Sequence, residues 1–585
     1  MIDEPRTQPG SVGHASPLYL SSYGGRNMFA WHHAPHSKAA DTAILFCNSI
    51  GYESVCLYRG LRYLATRAAE LGYHSLRFDY SGTGDSSGNL HDPGLLESWI
   101  DDVVTAARAL LSRSKCTKVH LVGVRFGSLL ALEAASRIKE TGDVTLIAGA
   151  RGRTLVRELK SASKLQAAVS EHLPEGSVEA FGFLFLPELL EGLSSLGDTS
   201  KVALNQVSAI RVVERDDAVV DERFARDISA RHPNTLIARP AGYGAWMQDP
   251  HKTEVQTDLE NAVLGSLSVQ APSSVSLPSG ALENASSASM EAAGIHENAR
   301  FIDAEHHIFG VFSRGPQRNS RPLVVFLNAG AVHHIGPNRL YVRVARELAQ
   351  RGVESVRLDL PPLGDSGDVR AQVAPMLYSR KAVGAACASI EALRENFSRP
   401  LSLVGLCAGG YVAFHVAEAM SIERVVLINP QTFEFREGDS LDVPTTRAVY
   451  RDTHHLFQSA KNIGKWRKLF RGEANLRKAI ATLAQRTWLE GRTRARELAT
   501  RVGILPMSRL EQRITTILEK DTSVHFVFSE GDPGLGYINE TLGGRLPYLL
   551  RHPRITLDCI PDADHTFTPT ASQDVLEHLL LDRLS

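Results

Sequence analysis

The stretch Ala43–Gly88, "AILFCNSIGYESVCLYRGLRYLATRAAELGYHSLRFDYSGTGDSSG", matches Pro322–Asp368, "PLVVFLNAGAVHHIGPNRLYVRVARELAQRGVESVRLDLPPLGDSGD", without a gap over most of its length. Asn48 pairs with Asn328, Gly72 with Gly352, Asp79 with Asp359 and Asp85 with Asp365, all at one offset. Each copy reads as apolar strand, loop, amphipathic helix, second strand and Gly-rich turn. The runs "AILFC" and "LVVFL" are continuously apolar, as parallel strands covered on both faces should be, and the helices supply the crossovers. Further on, "KVHLVGVRFGSLLALEAA" returns as "PLSLVGLCAGGYVAFHVA" at almost the same offset. Self-similarity on this scale predicts a duplication, and its pattern predicts two tandem α/β units, each a mostly parallel, doubly wound sheet.

The length of 585 residues gives room for two large cores. The first unit is expected over 1–265 and the second over 296–585. Between them Ser266–Ile295 is rich in Ser, Ala and Pro and poor in large apolar residues, which predicts a linker. Each unit carries an insertion read as a helical cap, about 151–206 in the first and about 431–519 in the second.

Charge excludes some partners. Lys+Arg 64 against Asp+Glu 65 leaves a formal net charge of -1, so no whole-chain field favours nucleic acid or an anionic membrane. The opening residues lack an apolar leader core, and no stretch supplies the roughly 20 apolar residues of a membrane span. A cytoplasmic protein without stable membrane insertion is expected. The six cysteines contain no CxxC pair, which fits neither a zinc site nor a disulfide framework. Neither a P-loop nor a dinucleotide fingerprint is present, so no cofactor and no metal are expected.

The chemistry centres on "LVGLCAGGYVAF", Leu403–Phe414. A strand ends in Gly-x-Cys-x-Gly and runs into a helix, the layout of a nucleophile elbow with Cys407 at its tip. Gly405 and Gly409 allow the close approach that such a turn needs. The helix beginning after Cys407 favours thiolate over thiol. Beyond the elbow, "SVHFVFSEGDPGLGYI" places Asp532 after one late strand, with Glu530 as the fallback acid, and "ITLDCIPDADHTFTP" places His565 after another. The order nucleophile, acid, histidine predicts His565 as base and Asp532 as its orienting acid. For a developing oxyanion, the N–H of Ala408 is one expected donor, and Gly330 or Ala331 in the loop "NAGAVHH" the other. His333 and His334 in that loop read as substrate-facing or solvated, since adjacent histidines lack the one-face spacing of metal ligands.

The first copy departs from this pattern. Its elbow keeps Gly123 and Gly127 but puts Arg125 at the tip; Asp217 persists at the acid position, and Gly244 stands opposite His565. A degenerate, non-catalytic unit is expected, with Ser128 and His251 as the only rearranged alternative. The second insertion carries Arg467, Lys468, Arg471, Arg477 and Lys478, which read either as a solvated basic face or as contacts to a phosphate-bearing carrier.

Both halves resemble the α/β-hydrolase superfamily. The pieces "NAGAVHHIGPNRLYVRVARELAQRG", "VRLDLPPLGDSGD", "LVGLCAGG" and "LRFDYSGTGDSSG" look most like the bacterial hydrolases associated with exosortase systems, in which cysteine can occupy the elbow. The Gly-x-Cys-x-Gly-Gly box alone is similar to that of polyhydroxyalkanoate synthases, in which the elbow cysteine carries an acyl chain. The resemblance implies two tandem α/β-hydrolase domains, with Cys407 as nucleophile, His565 as base and Asp532 as acid. The expected activity is acyl transfer or thioester hydrolysis through an acyl-Cys407 intermediate, on an acyl substrate that coenzyme A or a phosphopantetheine carrier protein could bear. A simple carboxylester hydrolase and a non-catalytic scaffold are the alternatives.

Overall fold

The computed structural model describes residues 15–22, 24–35, 39–165, 170, 173–198, 202–265, 287–303, 307–317, 321–435 and 507–585. In the first half the strands are β1 (Ala15–Ser21), β2 (Asn27–His33), β3 (Thr42–Cys47), β4 (Ser75–Phe78), β5 (Lys118–Val124), β6 (Thr141–Ile147), β7 (Val178–Ala180), β8 (Phe183–Phe185), β9 (Ala209–Val213) and β10 (Thr235–Ala238). Eight of them form one sheet in the order β1-β2-β4-β3-β5-β6-β9-β10, antiparallel through β1, β2 and β4 and parallel from β4 onward. The second half contributes β11 (Ser287–Ala292), β12 (Ile295–Asp303), β13 (Ile308–Arg314), β14 (Leu323–Leu327), β15 (Ser355–Asp359), β16 (Leu401–Leu406), β17 (Arg424–Ile428), β18 (Ser523–Ser529) and β19 (Ile555–Ile560). Its sheet runs β11-β12-β13-β15-β14-β16-β17-β18-β19, the same order with β11 added at the edge.

Both sheets are covered on two faces, as their unbroken apolar strands require. In the second half one layer includes the helices Arg380–Asn396, Ala408–Ala419 and Arg509–Glu519, and the other Leu340–Gln350 and Thr570–Leu584. The first half repeats this with Leu95–Ser114 and Phe126–Ala135 against one face and Tyr52–Glu70 and Thr257–Leu264 against the other. A fifth apolar cluster belongs to neither half alone: Phe29 and Trp31 of β2 pack on Ala299, Phe309 and Val311 of β12 and β13. No helix among the described residues is long and apolar enough to cross a membrane.

Two expected boundaries shift, and one insertion differs in content. Residues 287–295 are not linker: β11 pairs with β12 from Ser287↔Arg300 to Ala292↔Ile295. Its alternating, mostly exposed face reads as polar filler in composition but suits an edge strand. The helix Arg509–Glu519 belongs to the sheet-covering layer rather than to a cap, burying Leu510, Ile514 and Ile517. Ser508 caps it by accepting the Glu511 N–H at 3.1 Å. The insertion of the first half is not purely helical, since the hairpin β7–β8 separates the helices Gly152–Leu165 and Pro187–Ser195. Arg467, Lys468, Arg471, Arg477 and Lys478 lie outside the described residues.

Candidate active site

Strand β16 delivers Cys407 at its C-terminal end, between the parallel neighbours β14 and β17. The residue is held at φ 58°, ψ -117°, a conformation that L side chains rarely adopt, so its sulfur projects from a sharp turn. The flanking glycines explain how the turn closes: a Cβ on Gly405 would lie 2.1 Å from the Gly409 carbonyl oxygen, and one on Gly409 would lie 2.5 Å from that of Asn328. The helix Ala408–Ala419 starts immediately, and the Ala408 N–H points at the sulfur.

The strand β18 ends just before Asp532, which caps the helix Pro533–Leu542 by accepting the Gly534 N–H at 2.7 Å. Its other carboxylate oxygen lies 2.6 Å from His565 Nδ1, fixing the ring with Nε2 toward Cys407. Asp532 is buried and Glu530 exposed, so the fallback acid is not the one that meets the histidine. Asn429 steadies the His565 loop, donating to the His565 carbonyl at 2.8 Å and to Ser529 Oγ at 3.1 Å.

Burial works against ionisation of Cys407. The His565 charge and hydrogen bond, the Tyr378 hydroxyl and the Ala408 N–H more than offset it, and the thiol falls below its ordinary range. Burial likewise opposes the charged form of His565, yet Cys407 and Asp532 hold its pKa well above the usual value. Both shifts run toward a thiolate beside an imidazolium. Two contributors were not singled out from the sequence. Tyr378 places its hydroxyl 3.4 Å from the sulfur, and the Gln431 carboxamide stands 3.3 Å from His565 Nε2. Neither sits in a motif; the apolar setting of Tyr378, stacked at 5.2 Å on Phe435, comes from tertiary packing.

The loop after β14 abuts the elbow, and the N–H groups of Gly330 and Ala331 make no backbone hydrogen bond among the described residues. The two histidines further along it differ from expectation. His333 is buried and stacked on Tyr58 at 3.7 Å. His334 is also buried, with Nδ1 2.7 Å from Asp359 and Nε2 2.6 Å from Asp85. Neither faces substrate or solvent, because the first half covers the loop. His334, Asp359 and Asp365 do bring three ligand-type atoms together. The imidazole spends both nitrogens on carboxylates, and Asp365 is taken by Arg77 and Tyr58.

In the first half Arg125 occupies the same elbow, at φ 55°, ψ -118°. Its guanidinium pairs with Glu53 at 3.0 Å and with Glu158. Asp217 is bound by Arg215 at 2.6 Å, and Gly244 faces it with no side chain to offer. Ser128 is fully buried and donates to the Gly123 carbonyl at 2.8 Å, so the rearranged alternative lacks a free hydroxyl.

Residues 324–577 match the sequence profile described as the Alpha/beta hydrolase family. No curated protein matches the chain. Among solved structures, an α/β serine hydrolase without a lid from Xanthomonas campestris is 15% identical, with 40% of this chain and 86% of that one covered at a TM-score of 0.27. An esterase from Pyrococcus furiosus is 17% identical over 41% and 88%, at 0.29. The mouse alpha/beta hydrolase domain-containing protein 10 is 19% identical over 43% and 96%, also at 0.29. The family match thus falls on the half that carries Cys407, Asp532 and His565.

Proposed function

We propose that the second half catalyses acyl transfer or thioester hydrolysis through an acyl-Cys407 intermediate. The observation that carries this reading is the convergence of Cys407 at the elbow tip with His565, whose Nδ1 is held by Asp532 at 2.6 Å. The thiolate attacks the donor carbonyl, forming a C–S bond and an oxyanion that the Ala408 N–H and that of Gly330 or Ala331 stabilise. As the oxyanion collapses, the donor's own C–S bond breaks and His565 gives its proton to the departing thiolate. Water or an amine then attacks the acyl-cysteine, His565 takes the proton of that acceptor, and Cys407 leaves as thiolate. Arg125 and Gly244 supply neither nucleophile nor base, so the chemistry belongs to one half. The shared strand order and the matched Arg and Asp positions support descent of the two halves from a duplication.

Intact-mass spectrometry tests the reading. Incubation with octanoyl-coenzyme A and with octanoyl-N-acetylcysteamine, which lacks the phosphates, should add one acyl group that Cys407→Ala abolishes. Preference for the coenzyme A donor would support a phosphate-recognising carrier site. Turnover of p-nitrophenyl esters by the Cys407→Ala variant would overturn the nucleophile assignment.

A further inference from the structure

The first half reaches the loops of the second-half site at two places. From the Gly-rich turn after β4, Asp85 accepts a hydrogen bond from His334 Nε2 at 2.6 Å, while Asp359 accepts from Nδ1 and, at 2.7 Å, from the His334 backbone N–H. His334 lies four residues beyond Gly330. At the far end of the same loop Arg339 donates to the carbonyls of Gly84, Ser86 and Gly88 at 2.6–2.9 Å. The second contact comes from the hairpin β7–β8. Buried Glu179 accepts the N–H of Thr570 at 2.6 Å, where the helix Thr570–Leu584 begins, five residues beyond His565. Gln573 of that helix donates to the Gly182 carbonyl at 3.0 Å.

We infer that the first half is a positioning partner of the Cys407 site: Asp85 holds the loop bearing Gly330 and Ala331, and Glu179 holds the segment that follows His565. The bracing stands on geometry alone; its catalytic consequence rests on the acyl chemistry proposed above. An imidazole clamped by carboxylates on both nitrogens and buried on all sides cannot turn, and it takes its loop with it. The imidazole clamp has no counterpart in the first half, where the reciprocal crossing runs from Tyr58 and Arg77 to Asp365. Ser54 stands at the first-half position matching His334, and its hydroxyl donates locally to the Gly51 carbonyl at 2.6 Å rather than across to the other half. Only in the half with the cysteine does a doubly bonded imidazole pin the loop that carries the backbone donors. The insertion of the first half likewise leans on the second-half loops.

Three measurements on the full-length protein test this. In Asp85→Asn, amide hydrogen exchange over 328–336 should rise by about tenfold or more, and in Glu179→Ala the rise should fall over 563–572. Acylation of Cys407 by octanoyl-N-acetylcysteamine should drop about tenfold or more in Asp85→Asn, while alkylation by iodoacetamide, which needs the thiolate but no oxyanion donor, stays within about twofold. Unchanged exchange in both folded variants overturns the bracing, and a parallel fall of acylation and alkylation in Asp85→Asn overturns the positioning of donors. If Asp85→Asn does not fold, exchange in Glu179→Ala decides alone. If the unaltered protein accepts no acyl group, the proposed function fails while the exchange results still decide the bracing.

Discussion

Asp359 and Asp79 hold matched positions in the two halves and titrate in opposite directions. Burial penalises both carboxylates. Beside Asp359 the His334 charge and hydrogen bond reverse that penalty and hold the pKa at about 2. Asp79 has Ser54 where His334 would be; burial and the charge of Asp85 push it up to about 7. Between an unfolded value near 4 and the folded value of about 7 the native protein binds the proton more tightly, so this group's contribution falls as pH rises through that window. Asp79→Asn should therefore stabilise the protein at pH 8, by roughly 1–3 kcal/mol, and by much less at pH 5, as denaturant titrations at the two pH values would register. At the sulfur the sign is opposite. Removing the hydroxyl in Tyr378→Phe takes a donor from the thiolate, and the pH midpoint of iodoacetamide alkylation should rise by up to about one unit. His565→Ala should raise it further, by removing the largest opposing charge. Cys407, Asp532 and His565 were legible in the sequence because a local motif and chain order specify them. Tyr378 and Gln431 were not, since only packing brings them to the site.

The elbow was legible as an element because its glycines flank the nucleophile at fixed offsets, Gly405 required by the Gly409 carbonyl and Gly409 by that of Asn328 in the neighbouring loop. The structure grades them. Gly405→Ala would set a Cβ 2.1 Å from a backbone oxygen, which no rotamer change relieves, and should cost roughly 3 kcal/mol or more, whereas Gly410→Ala meets its nearest atoms at 3.2 and 3.3 Å and should cost about 1 kcal/mol. Thermal denaturation of the two variants separates these outcomes. The repeat was legible in its strands and misled in its loops. One matched segment is helix from Tyr52 in the first half but remains loop until the short turn Pro337–Arg339 in the second. Gly336 and Pro337 delay the helix there, so that the segment matching the first turn of the first-half helix stays loop and carries His333 and His334. The edge strand β11 was hidden for another reason: a half-exposed strand of Ser, Ala and Glu has the composition of a linker, and only its pairing with β12 distinguishes the two.

At the scale of the molecule, the two halves are joined by exchanged charges as well as by apolar packing. Arg77 of β4 pairs with Asp365, and Arg357 of β15, at the matching position, pairs with Asp85. Arg62 grips the second-half turn through the carbonyls of Gly364 and Gly367, as Arg339 and Arg346 grip the first-half turn. The repeated aspartates looked in sequence like an echo within each half; their partners sit in the other half, a swap that alignment cannot show. Arg357, Asp85 and His334 are at most 1% exposed, so separating the halves would place unpaired charges of a dry interface in water and strip Phe29, Trp31 and Phe309 of their shared cluster. Removing one partner of such a pair while the other stays buried costs on the order of 3–5 kcal/mol, a large share of a domain's stability. The halves should consequently unfold together. Differential scanning calorimetry should give a single transition with a van't Hoff enthalpy close to the calorimetric one, and Arg357→Gln should lower its midpoint without splitting it. Two resolved transitions in the unaltered protein would instead mean that each half carries its own stability and that the exchanged charges only align finished domains.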